Sequence, residues 1–202
     1  MSLSAGPSDH DLVLLLRRRR PGAFEEVYRR YRERIWRFLV RLTNNQPVAE
    51  DLFQETWLAA ARNAHRLHEA TELLPWLFTI ARNKHRNGLR AAAFDHRKRA
   101  ALLVEPSNLP QDPDSDADAR TRVERVAAAL TRLPATYREV LLLCVSEGLD
   151  AETAAPILGL RADAVRKRLS RARAALAALV ATPQVRKSEA VAFRLARSGE
   201  SQ

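Results

Sequence analysis

One cysteine and six glycines in 202 residues exclude several kinds of protein at once. With Cys144 alone, no disulfide forms within the chain. Scarce glycine beside abundant alanine, leucine and arginine favours helix over strand. The longest apolar run near the N-terminus, Leu12 to Leu16, falls far short of the ~20 residues that cross a bilayer. Arg17, Arg18, Arg19 and Arg20 follow it, the reverse of the order a secretory signal uses. Direct membrane insertion is therefore not expected, and the chain is expected in the cytoplasm. Chemistry is equally thinly represented: no nucleophile is paired with a base, no carboxylate pair has a pocket signature, and no phosphate loop occurs. His65 and His68 are spaced to share a helix face, but no carboxylate or thiol cluster completes a metal site around them. The expectation is a non-enzymatic protein with no metal, no cofactor and no small-molecule substrate.

What the chain has is positive charge. The 34 lysines and arginines outnumber 24 acidic residues, giving a net charge of +10. Such a balance fits a polyanionic partner, nucleic acid before membrane. The charge is unevenly spread, at +8 over residues 1–103, −3 over 104–122, +3 over 123–181 and +2 over 182–202. The acidic stretch carries Pro106, Pro110 and Pro113 without apolar periodicity and reads as a linker. The organisation expected is all-α, with two separate helical modules joined by a flexible acidic linker and followed by a tail of unknown role.

Each module breaks into four helical pieces. In the first, a short helix capped at Ser8 or Asp9 stops at Pro21-Gly22, and a second runs from about Ala23 to Thr43. A third has Pro47 in its first turn, and Pro75 opens a fourth after a loop from about Asn63 to Leu74. In the second module, helices near Val123–Leu133 and Ala135–Glu147 precede a short helix that Asp150 caps and Gly159 ends. The last helix runs from about Ala162 to Val180.

Three faces stand out. On the last helix, Val165, Leu169, Ala172, Leu176 and Leu179 form an apolar stripe. At about 100° per residue, Arg166, Lys167, Ser170 and Arg171 lie opposite it, with Arg168 and Arg173 flanking. Short helix, glycine turn and basic helix together make a helix-turn-helix pattern. A major groove is favoured as its target over a merely solvated surface. On the fourth helix Arg82, Arg86 and Arg90 recur every four residues as one exposed stripe beside Asn83, with Trp76 and Phe78 at its start. Rings beside cations suit a single strand, whose bases stack while arginines hold the backbone; core packing of Trp76 stays open. The third helix carries Glu50, Asp51, Gln54, Glu55 and Leu58 opposite its core side, a strip suited to a basic protein surface or to plain solvation.

These residues carry a resemblance. Ala23-Phe24-Glu25-Glu26-Val27-Tyr28, Ala49-Glu50-Asp51-Leu52-Phe53-Gln54-Glu55-Thr56-Trp57 and Pro75-Trp76-Leu77-Phe78-Thr79-Ile80-Ala81-Arg82-Asn83 resemble region 2 of bacterial RNA polymerase sigma factors. Leu133-Pro134-Ala135-Thr136-Tyr137-Arg138-Glu139-Val140-Leu141-Leu142-Leu143, Glu147-Gly148-Leu149 and Leu169-Ser170-Arg171-Ala172-Arg173 resemble region 4. Two such regions and a short linker look like the extracytoplasmic-function (ECF) class of the sigma-70 family. The similarity covers roughly residues 9–180.

The resemblance implies a factor that binds core RNA polymerase, through the β′ clamp helices and β flap, and directs it to promoter DNA. Asp51, Gln54, Glu55 and Leu58 would dock on polymerase. Trp76, Arg82, Asn83, Arg86 and Arg90 would act at the −10 element, and Arg166, Lys167, Ser170, Arg171 and Arg173 at the −35 element. An anti-sigma factor or other regulator is a further implied partner. The linker would thread toward the active-site cleft, where Asp112, Asp114, Asp116 and Asp118 either mimic a nucleic-acid backbone or form a plain tether. One departure from the family pattern is Asp150-Ala151-Glu152-Thr153-Ala154-Ala155-Pro156, whose proline predicts a kinked or short helix. Two rivals remain at this level, an ordinary helix-turn-helix regulator and a sigma-like decoy that holds a regulator.

Overall fold

The computed structural model describes residues 6–96 and 117–181. No strand occurs among them. Most of the acidic linker and the whole 182–202 tail lie outside the described residues.

Helix α1 (Asp9–Arg17) begins with a capping box in which Ser8 and Asp11 satisfy one another's backbone N–H groups. Helix α2 (Ala23–Thr43) is amphipathic along its length, and burial follows the 3.6-residue period through Val27, Tyr31, Ile35, Phe38, Leu39 and Leu42. Asn44 ends it in the left-handed region at φ 52°, and the Asn45 side chain then accepts from Val48 N at 3.1 Å to start α3 (Gln46–Asn63). A single 3₁₀ turn (Ala64–Arg66) leads toward α4 (Leu73–His96), which starts two residues before the expected Pro75. Edge-on rings fasten these helices together. Trp57 meets Tyr28 at 4.8 Å and Phe24 at 6.0 Å, and Phe38 meets Phe78 at 5.0 Å.

The second set begins at α5 (Ala117–Arg132), six residues earlier than periodicity suggests, so part of the expected linker is helical. α6 (Ala135–Leu141) widens into a π turn over Leu142–Ser146. Asp150 caps α7 (Ala151–Leu158) by accepting from Thr153 N at 2.7 Å, and Gly159 ends it at φ 64°. Pro156 is accommodated because α7 is only eight residues long and the proline ring faces solvent. α8 (Ala162–Ala181) lays Val165 and Ala172 into the core, with Leu169, Leu176 and Leu179 half-buried beside them.

The two sets of helices are distinct in sequence but share one buried core. α4 packs on α7, and α2 meets α6 and the π turn behind it. That contact decides what happens to the faces described next.

Candidate nucleic-acid interface

The basic side of α8 forms as its spacing requires. Arg166, Lys167, Ser170, Arg171 and Arg173 are all exposed, while the opposite stripe faces α5, α6 and α7. Arg166 differs from the others. Its guanidinium pairs with Asp163 at 2.5 Å and also with Glu152 of α7. This double contact ties the short helix to the long one and lowers the charge Arg166 has free for DNA. Lys167 and Arg171 form no ion pair among the described residues.

The strip on α3 also forms. Asp51, Gln54, Glu55 and Leu58 stand together in solvent, and Leu58 is 57% exposed. Lys84 of α4 reaches Glu55 at 3.0 Å, so the strip borders the basic side of α4. An exposed leucine among carboxylates and an amide suits an interface with a cationic rim.

The stripe on α4 needs correction. Asn83 and Arg90 are exposed and Arg86 is half-exposed, but Arg82 is only 5% exposed. Its Nε donates to Glu139 of α6 at 2.9 Å and its Nη1 donates to the Ile157 carbonyl of α7 at 2.8 Å. Arg82 points into the second module because α4 and α7 pack there, which single-helix geometry does not reveal. Phe78 is corrected too: it is fully buried against Phe38 and presents no ring to a base. Trp76 is half-buried and packs on the core cluster, and it lies outside the aromatic pairs around Trp57.

Sequence reasoning missed the groups that build this seam. Glu139 is 4% exposed. Arg34 of α2 donates to the Glu147 carboxylate at 2.8 Å and to the Glu147 carbonyl at 3.1 Å. Arg138 donates to the Leu42 carbonyl at the end of α2 at 2.8 Å, and to the carbonyls of Leu130, Thr131 and Leu133 at and just beyond the C-terminal end of α5. His85 is buried beside Glu139, Arg138 and Arg82, its Nδ1 has no partner, and burial pushes its pKa down. The available signal was slight: Glu139 abuts the apolar run Val140–Leu143, where an unpaired carboxylate is costly. Its partner lies 57 residues away in sequence. Cys144 sits half-buried in the π turn, and burial raises its thiol pKa, as suits a packing residue. No group of three or more candidate metal ligands occurs among the described residues, and none of the helices is long and apolar enough to cross a membrane.

Fold and faces define a two-region transcription-initiation factor. Residues 27–94 match the Sigma-70 region 2 family, and residues 124–176 match the Sigma-70 region 4 family. The chain is 34% identical over 153 residues to the RNA polymerase sigma factor CarQ of Myxococcus xanthus, covering 74% of this chain and 84% of that one. It is 41% identical over 141 residues to the probable sigma factor RfaY of Xanthomonas campestris, covering 66% of this chain and 34% of RfaY. Its fold matches the sigma factor RpoE of Bartonella quintana, solved in complex with the anti-sigma factor NepR. The TM-score is 0.71 and the identity 25%, with 80% of this chain and 98% of that one covered. The chain belongs to the sigma-70 family of bacterial RNA polymerase sigma factors, within the ECF class.

Proposed function

We propose that this sigma factor divides promoter work among three faces: α3 docks on core polymerase, α4 engages the −10 element, and α8 reads the −35 element. The single observation that carries the division is the separation of charge. Acid and amide side chains with one exposed leucine gather on α3, while exposed cations gather on α4 and α8.

On α8, Lys167, Ser170, Arg171 and Arg173 stand free to enter a major groove, with Arg166 held by its own carboxylates. On α4, Asn83, Arg86 and Arg90 are open, Trp76 lies at the helix start, and Arg82 joins them once the modules part. Asp51, Gln54, Glu55 and Leu58 meet the polymerase β′ clamp helices. The exposed Val145 of the π turn, 55% open, suits the β flap. Boundaries follow the charge map, with region 2 over residues 1–103, an acidic linker over 104–122 and region 4 over 123–181. The chain performs no chemistry: binding of opened bases and backbone drives strand separation, and the polymerase transfers nucleotides. It acts in the cytoplasm, where the polymerase is. An anti-sigma factor is its natural regulator, a reading supported by RpoE, which was solved in complex with the anti-sigma factor NepR.

The test is co-elution of the full chain with core polymerase, repeated with the D51K/E55K variant. Retention of the parent chain and loss of the variant is expected. Equal retention of both removes the docking assignment.

A further inference from the structure

We propose that the cleft between the α1–α2 turn and the end of α3 is a binding site for a nucleoside polyphosphate. The cleft has a volume of about 520 Å³, within the range of small-ligand pockets. Its lining combines two chemistries. Arg19, Arg20 and Arg62 bring cations, with His65 beside them, while Leu16 and the half-buried Phe24 supply apolar surface. A ligand that is anionic at one end and flat and apolar at the other suits that pairing. Guanidinium forks take phosphate oxygens two at a time, and an aromatic ring gives a base something to pack against.

The cations are uncommitted. Among the described residues Arg19, Arg20 and Arg62 form no ion pair, whereas neighbouring Arg17 is held by Glu69. One carboxylate, Glu25, also lines the cleft, and the three arginines outweigh it. Gly22 leads into α2 at φ 80° with open space where a Cβ would stand, so a ligand can come close to the backbone there. The N–H groups of Phe24 and Glu25 just beyond it have no acceptor among the described residues and add two donors to the cationic side chains.

Arg19 marks the cleft independently. Helix α1 ends in a Schellman arrangement, in which the Arg19 N–H donates to the Leu16 carbonyl at 3.0 Å and the Arg20 N–H to that of Leu15 at 2.9 Å. The motif requires a left-handed residue after the cap, and Arg19 takes that place at φ 51°. Glycine is the usual occupant, because it adopts this conformation without strain. The arginine is exposed and makes no ion pair, so neither packing nor charge pairing within the chain accounts for it. Strain kept at a side chain that lines a cleft points to a ligand.

The experiment uses the full chain with the fluorescent nucleotides mant-ATP and mant-GTP. Mant-adenosine, pyrophosphate and a short DNA strand serve as comparisons, and displacement by unlabelled nucleotide excludes binding through the dye. Anisotropy reads affinity, and thermal melts confirm folding. Saturable binding of a triphosphate is expected, roughly tenfold tighter than mant-adenosine or pyrophosphate. R20E/R62E weakens it by roughly tenfold or more, and E25Q tightens it. R19G weakens it as well, yet its melting temperature holds or rises, because glycine relieves the turn. A merely structural role for Arg19 would not separate the two readouts.

Absence of saturable binding, or equal binding by parent, R19G and R20E/R62E, overturns the site. Mant-adenosine that binds as tightly as the triphosphates removes the phosphate from recognition. Pyrophosphate that binds as tightly as ATP reduces the cleft to an anion site. Either result overturns the nucleotide assignment. A DNA strand that displaces the probe at lower concentration, through the same arginines, makes the cleft a backbone contact and overturns it too. Each of these leaves the sigma reading intact, since every readout uses the chain without polymerase or promoter.

Discussion

Arg82 on α4 and Glu139 on α6 form an ion pair of 2.9 Å in which both side chains are almost wholly removed from water. Burying two charges is tolerated because each satisfies the other and Arg82 also finds the Ile157 carbonyl. Removing one partner leaves the other stranded. E139A is expected to destabilise the closed chain by about 3 kcal/mol, whereas the double replacement R82M/E139L recovers most of the loss. Denaturant melts of the three chains check this, and equal costs for single and double variants contradict it.

His85 gives the same seam a pH dependence. Burial holds its pKa below the ordinary histidine value; nearby Arg138 and Arg82 add to the shift, and Glu139 opposes it. With the folded pKa depressed, the proton binds more readily once the seam is open. Stability is therefore fully present above the unfolded pKa of about 6.5 and lost as pH falls toward the folded value. Thermal melts between pH 7.5 and 5.5 are expected to show a falling midpoint that H85N flattens. A parallel fall in H85N assigns the effect elsewhere.

The two carboxylates on Arg166 separate it from its neighbours on α8. R171A or K167A is expected to weaken binding to a mapped −35 duplex by about 1–3 kcal/mol where the side chain meets a base. R166A loses less, because part of its charge is already spent on Glu152 and Asp163. Footprint titrations at fixed salt compare them. A larger loss for R166A than for R171A contradicts this ranking.

Gly159 closes α7 at φ 64° with open space around its Cβ position. G159A therefore meets strain and no clash, and about 1 kcal/mol of lost stability is expected. A loss several times larger in calorimetry points to a contact that the turn does not show.

Much of this architecture is legible in the sequence, and the reasons differ by level. Periodicity and caps locate α2, α3 and α8 within a residue or two, because side-chain spacing and cap chemistry are local. The acidic strip on α3 and the cation face on α8 are legible for the same reason: each lies opposite its own helix's apolar stripe. Arg82 is where that logic stops. Arg82, Arg86 and Arg90 look equivalent along α4, and only the arrival of α6 and α7 makes the first of them an interior residue. Phe78 fails similarly, since its packing against Phe38 belongs to the bundle. Pro156 reads as a disruption in sequence, yet near the end of an eight-residue helix its ring simply faces solvent.

The most direct measurement is run-off transcription by core polymerase from the chain's own promoter, with and without the purified chain. Transcripts starting at one position that appear with the parent chain and vanish with D51K/E55K are the expected result. Core polymerase that stays silent with the parent chain, on a template where that promoter is mapped, contradicts the account.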